Sequence, residues 1–155
     1  MIPKFRAWDK RTKAMIDVAV LHFTKDGKVN SIEYWKTPSE LKAYHVRNLI
    51  LMQSTGFKDN NDTEVFEGDI INLHWFYADF DPVEFGAFEN EEYAERVIVK
   101  KEFGNFGFWW EDADSWVDLA TLAMSARLDE ESFEILGNIY ENPELLEDKN
   151  EQNKN

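Results

Sequence analysis

Glu67 and Asp69 flank Gly68, and two carboxylates at that spacing could act as a general acid and base. The same three residues also make an ordinary turn, with the Asp69 side chain accepting from nearby backbone amides, and the sequence favours that reading. His22, His45 and His74 lie far apart, and no two have metal-ligand spacing. His22 and His74 sit beside Phe23 and Trp75 in strand-like runs, which suits structural roles. Asp79-Phe80-Asp81-Pro82-Val83-Glu84 offers three oxygen ligands to a calcium-like ion, but lacks the glycine and terminal glutamate of an EF-hand loop. Asp112-Ala113-Asp114 reads as a polar loop before a helix. Ser54-Thr55-Gly56 does not build a nucleophile elbow, and no phosphate-cradling glycine motif is present. Cysteine is absent, so thiol catalysis, thiolate zinc sites and disulfides are excluded. The expectation is of no catalytic residue, no metal and no cofactor.

The elements that would have to position any chemistry are mostly strands. Lys4-Phe5-Arg6-Ala7-Trp8-Asp9 alternates, followed by a polar turn and a second strand from Met15 to Phe23. Lys25-Asp26-Gly27-Lys28 marks a hairpin, and Val29 to Trp35 alternates again. Thr37-Pro38-Ser39-Glu40 carries helix-start signals, so a short helix is predicted before the apolar run Leu49-Ile50-Leu51-Met52. The turn formers of residues 55–62 mark a subdomain boundary. Val65-Phe66 and then Ile70 to Trp75 read as strand, broken at Glu67-Gly68-Asp69. Residues 79–95 contain no Lys or Arg and read as an acidic excursion from the core. Val97-Ile98-Val99 and residues 106–110 form a hairpin around Gly104-Asn105. A short helix falls within residues 116–128 and a final strand within 133–140, interrupted at Gly137-Asn138. The expected class is mainly β with short helices.

Charge narrows the partners. Residues 1–47 carry ten basic and five acidic side chains, a balance of +5, whereas residues 48–155 carry seven and 26, a balance of −19. The net charge of −14 repels nucleic acid, whose binding draws on cations neutralising phosphates. It also suggests the basic N-terminal part docking on acidic surface, within one chain or between copies. Phe106, Phe108 and Trp110 share one strand face with Trp109 on the other; without a basic groove they suit a core, with one ring left for a partner. No apolar run is long enough for a membrane span, and the first residues do not open a secretory signal, so a cytoplasmic protein is expected.

Four segments, in order, carry a resemblance: Lys4-Phe5-Arg6-Ala7-Trp8-Asp9, Leu51-Met52-Gln53-Ser54-Thr55-Gly56-Phe57-Lys58-Asp59, Val65-Phe66-Glu67-Gly68-Asp69-Ile70, and residues 135–146, beginning Ile135-Leu136-Gly137-Asn138. Together they resemble the YopX family of phage and prophage proteins. The resemblance implies a phage or prophage origin and an SH3-like small barrel in the C-terminal part, and no established activity. It gives a layout of an N-terminal β region (1–54), a small barrel (55–146) with an acidic insertion (79–95), and a polar tail (147–155). Within the motifs, Gly56, Gly68 and Gly137 are expected as structural glycines. Arg6, Trp8, Gln53, Thr55, Glu67 and Asp69 make up the candidate binding groove. The functional expectation is a non-catalytic module that binds an unidentified protein, or a further copy of itself, and neither nucleic acid nor membrane. Two other readings stay open: an acidic decoy of a basic nucleic-acid-binding host protein, and an enzyme acting on a small molecule or nucleotide between the two parts.

Overall fold

The computed structural model describes residues 4–84, 86–129 and 131–147, so all of the expected polar tail except Glu147 lies outside the described residues. The chain divides into two compact units, Met1–Gly56 and Phe57–Asn155. Both are built mainly of antiparallel strands, the class the sequence predicts.

In the first unit, β1 (Phe5–Asp9) lies between β2 (Ala14–Phe23) and β5 (Leu49–Lys58), and β3 (Val29–Thr37) and β4 (Glu40–His45) continue the sheet beyond β2. The core face gathers Ala7, Ile32 and Leu49, with Ile16, Val18, Leu21, Tyr34 and Tyr44 packed around them. The turn after β1 is closed by Asp9, which is buried. Its Oδ1 accepts from the Arg11 N–H at 2.9 Å, the Thr12 N–H at 3.5 Å and the Tyr44 hydroxyl at 3.4 Å. Burial alone would raise the Asp9 pKa, but these hydrogen bonds outweigh it and hold the carboxyl below its usual range.

The helix predicted from Thr37 is corrected by the structure. Pro38 and Ser39 form a two-residue hairpin loop, with Thr37 paired to Glu40 and Trp35 to Leu41. Pro at the first loop position fits a tight turn as well as a helix start, and pairing with β3 decides between them.

In the second unit, the end of β5 turns through Asp59 into β6 (Glu64–Phe66), with Asp59 Oδ1 accepting from the Asn61 and Thr63 N–H groups at 3.0 and 2.8 Å. Two three-stranded sheets follow. One has the order β12 (Phe133–Asn138), β7 (Asp69–Asp81), β8 (Gly86–Ile98); the other has β11 (Ser115–Asp118), β10 (Asn105–Trp110), β9 (Lys100–Glu102). The short helix α1 (Leu119–Ser125) is capped by Asp118, whose side chain accepts from the Thr121 N–H. The core of this unit joins Ile71, Leu73 and Trp75 of β7 to Val97, Phe108, Leu119 and Phe133. Phe108 is fully buried and Trp109 exposed, the alternation the sequence predicts.

Gly56 and Gly68 take φ of 84° and 86°, a region that residues with a Cβ rarely adopt. Gly137 is set by close approach instead. The β12–β7 register shifts between Ile135 and Gly137, and a Cβ at Gly137 would lie 2.6 Å from the Asn142 Cγ.

Candidate functional site

The carboxylates considered for acid–base work are held in a turn. Asp69 is buried, its Oδ2 accepts the Phe66 N–H at 2.8 Å, and its carbonyl accepts the Val99 N–H at 2.9 Å. The histidines also have local partners. His22 meets Glu33 at 3.1 Å, and His45 Nδ1 accepts the Arg47 N–H at 3.0 Å. His74 meets Glu91 at 2.8 Å and stacks on Tyr93 with ring centroids 4.1 Å apart. Asp79 and Asp81 each turn a carboxylate oxygen back onto the adjacent backbone, at 2.8 Å to the Phe80 and Val83 N–H groups respectively. Among the described residues no group of three His, Asp or Glu is placed to hold a metal.

Pairing in the first unit fixes the faces of the other candidate residues. Arg6 is paired to Met52 and Trp8 to Ile50, while Gln53 is paired to Phe5. Directly paired residues share a face and neighbours along a strand alternate, so Arg6 and Trp8 lie on one face and Gln53 on the other. Thr55 is buried. Glu67 and Asp69 belong to the second unit.

The second unit has two further features; sequence reasoning saw the first only as an acidic excursion over residues 79–95 and missed the second. The first is an arm. β12 pairs with β7 only as far as Leu73, whereas β7 and β8 keep one register from Leu73–Ala94 out to Asp81–Gly86. The outer ribbon exposes Phe80, Val83 and Phe88 among carboxylates. Nearer the core, the Tyr77 hydroxyl accepts from Asn90 at 3.0 Å and donates to Glu92 at 3.5 Å. Burial, with the Glu92 and Asp79 charges, pushes the Tyr77 pKa up.

The second feature is a cleft of about 770 Å³ beside this ribbon, lined by Phe76–Ala78 on the strand side and Ala123–Arg127 opposite. Arg127 shapes it. Its N–H donates to the Phe76 carbonyl at 2.6 Å and its carbonyl accepts the Phe76 N–H at 3.1 Å, an isolated antiparallel bridge. Its guanidinium sits 4.2 Å from the Phe76 ring centroid and reaches Glu89 through Nη2 at 2.6 Å and Nε at 3.3 Å. The Glu89 hydrogen bonds raise the Arg127 pKa further. The ion pair is half exposed and screened by solvent, so the main-chain bridge and the ring contact set its geometry. One signal was legible: Arg127 is the sole Lys or Arg in residues 102–148.

The family described as YopX protein matches residues 4–147 of the chain. The chain belongs to the YopX family. Among solved structures it is similar to the crystal structure of protein EF1440 from Enterococcus faecalis, at 26% identity and a TM-score of 0.55, over 94% of this chain and 99% of that one. A search of curated proteins found no match.

The YopX motifs quoted above fall on turn locks. Asp9 closes the β1–β2 turn, Asp59 the β5–β6 turn, and Asp69 the turn into β7. Asn138 Oδ1 accepts the Tyr140 and Glu141 N–H groups at 3.0 and 2.8 Å. Each is a short polar side chain that satisfies backbone donors where a strand ends. Folding thus accounts for these four side chains of the YopX motifs.

Proposed function

We propose that this YopX protein is a non-catalytic, phage- or prophage-encoded module that works in the bacterial cytoplasm by binding another protein, with its second unit acting as an SH3-like scaffold. The observation that carries the reading is the β7–β8 arm, whose exposed Phe80, Val83 and Phe88 stand in a stretch that holds seven carboxylates and no Lys or Arg between residues 79 and 95. Exposed aromatic rings rimmed by charge are what a protein interface needs. The rings supply buried area and the charges choose the partner and speed the encounter.

The test is a photo-crosslinking amino acid placed at Phe80 or Phe88 in the protein expressed in bacterial cells. Discrete adducts from both positions, and none from an exposed control at Glu134, are expected. Adducts equally abundant from the control, or absent at the arm, would overturn the reading. An adduct at twice the chain mass identifies a second copy as the partner, for which the +5 N-terminal part supplies complementary charge. The arm's acidity also favours the decoy reading. In that case purified protein releases nucleic acid from a basic binding protein, and salt reverses the effect.

A further inference from the structure

Among the described residues, β7 is paired on only one side beyond Phe76, and its outward row of main-chain groups is ordered. Phe76 turns its N–H and C=O away from β8, where Arg127 takes both. The β7–β8 register is unbroken from Leu73 to Asp81, so period-two alternation turns the N–H and C=O of Ala78 the same way. The segment before Arg127 does not continue the ladder: the Ala126 N–H bonds back to the Leu122 carbonyl and closes α1. Ala78 is exposed, and among the described residues its outward pair has no main-chain partner. At Phe80 the N–H is taken by Asp79 Oδ1, which ends the row. The cleft runs beside this edge and separates it from Ala123–Ser125.

We propose that a lysine- or arginine-bearing extended polypeptide segment adds to this edge as a β-strand, its main chain pairing with Ala78 above the Arg127 bridge. The proposal rests on the protein-binding reading and names the mode and the partner's chemistry. Main-chain pairing gives affinity in strand addition, and side-chain surroundings give specificity. Those surroundings favour cations, because the arm carries carboxylates at Asp79, Asp81, Glu89 and Glu91 and no Lys or Arg of its own. Arg127 is the internal precedent. It occupies the same row one pair below, with its main chain on Phe76, its guanidinium over that ring, and its charge on Glu89. Ala78, the small residue of the row, leaves room for an incoming side chain.

The probe is a fluorescein-labelled nine-residue peptide of alternating Lys and Val, read by fluorescence anisotropy against the whole protein. Saturable binding is expected, weakened several-fold by raised salt and at least tenfold by Ala78→Pro. That substitution removes an outward N–H at a position where a strand tolerates proline. Peptides N-methylated at alternate residues supply a test that leaves the protein untouched. One parity should lose at least tenfold in affinity and the other should bind as the parent does, because only one set of amides faces β7. Equal losses from both parities, or equal binding of a Glu–Val peptide, would overturn strand addition by a basic segment. A dimer in light scattering that Ala78→Pro dissociates would place a second copy on the edge and overturn the assignment to a basic segment. Failure of the peptide with crosslinks from positions 80 and 88 intact removes this proposal alone, whereas loss of both removes the protein-binding reading as well.

Discussion

Replacing Gly137 by Ala tests whether close packing, not backbone conformation, holds glycine at the β12 irregularity. The new Cβ would lie 2.6 Å from the Asn142 Cγ and 2.9 Å from its Cβ, well inside contact distance. Asn142 must then swing away, and its Oδ1 gives up the Asn138 N–H that it accepts at 3.1 Å. Asn138 is buried, and leaving such a donor unsatisfied costs about 1–3 kcal/mol. Against this, Ala in place of Gly restricts the unfolded chain and returns about 0.4–1 kcal/mol. The expected net loss is about 1–2 kcal/mol, or roughly 2–4 °C in Tm per kcal/mol for a chain of this size. Urea unfolding followed by tryptophan fluorescence measures it. The discriminating step is a double-mutant cycle. In an Asn142→Gly background the Asn142 side chain is gone, so Gly137→Ala should cost less than half as much. A Gly137→Ala protein as stable as wild type, or the same loss in both backgrounds, would refute the reasoning.

Gly68→Val is expected to cost about 1–3 kcal/mol in the same assay, because a β-branched residue resists a φ of 86°. Phe108→Ala empties the centre of the second-unit core, and a loss of about 3–5 kcal/mol in urea unfolding is expected. Asp9 has a lowered folded pKa, so its stabilisation is fully present above the ordinary carboxylate range and fades as pH falls through the folded value. Asp9→Asn should therefore flatten the acid limb of a stability-against-pH curve below about pH 4, with the difference from wild type shrinking toward lower pH. Duplex DNA should give no mobility shift with micromolar protein at physiological salt, given the net charge of −14.

Much of the fold is legible because its signals are local. The alternation of Phe5, Ala7 and Asp9, the hairpin at Lys25-Asp26-Gly27-Lys28, the turn at Glu67-Gly68-Asp69 and the buried face of β10 each need only a few neighbouring residues. The predicted helix from Thr37 fails for the same reason. Thr-Pro-Ser-Glu satisfies a capping template locally, and only the strand pairing of Trp35 with Leu41 distinguishes a hairpin. The candidate site is less legible. Arg6 and Gln53 lie on different strands, and strand parity alone cannot relate their faces until pairing assigns Gln53 to Phe5 and Met52 to Arg6. Arg127 meets Phe76 across about 50 residues of chain, a contact no periodicity encodes. Asp69 was legible as a turn residue because an Asp two positions beyond the turn's first residue has one economical partner, the backbone just behind it.

The unbroken ladder of the arm has an evolutionary corollary. The facing pairs from Leu73–Ala94 to Asp81–Gly86 stay in one register, so residues can be inserted or deleted at the tip without disturbing the sheet at its base, provided the change comes in matched pairs. Removing one residue from one strand would invert every side chain beyond it, turning Phe80 to the opposite face. Relatives should therefore differ in arm length by even numbers of residues, and a long arm and a short one can sit on the same base. Reach becomes a trait that can drift while the scaffold stays fixed.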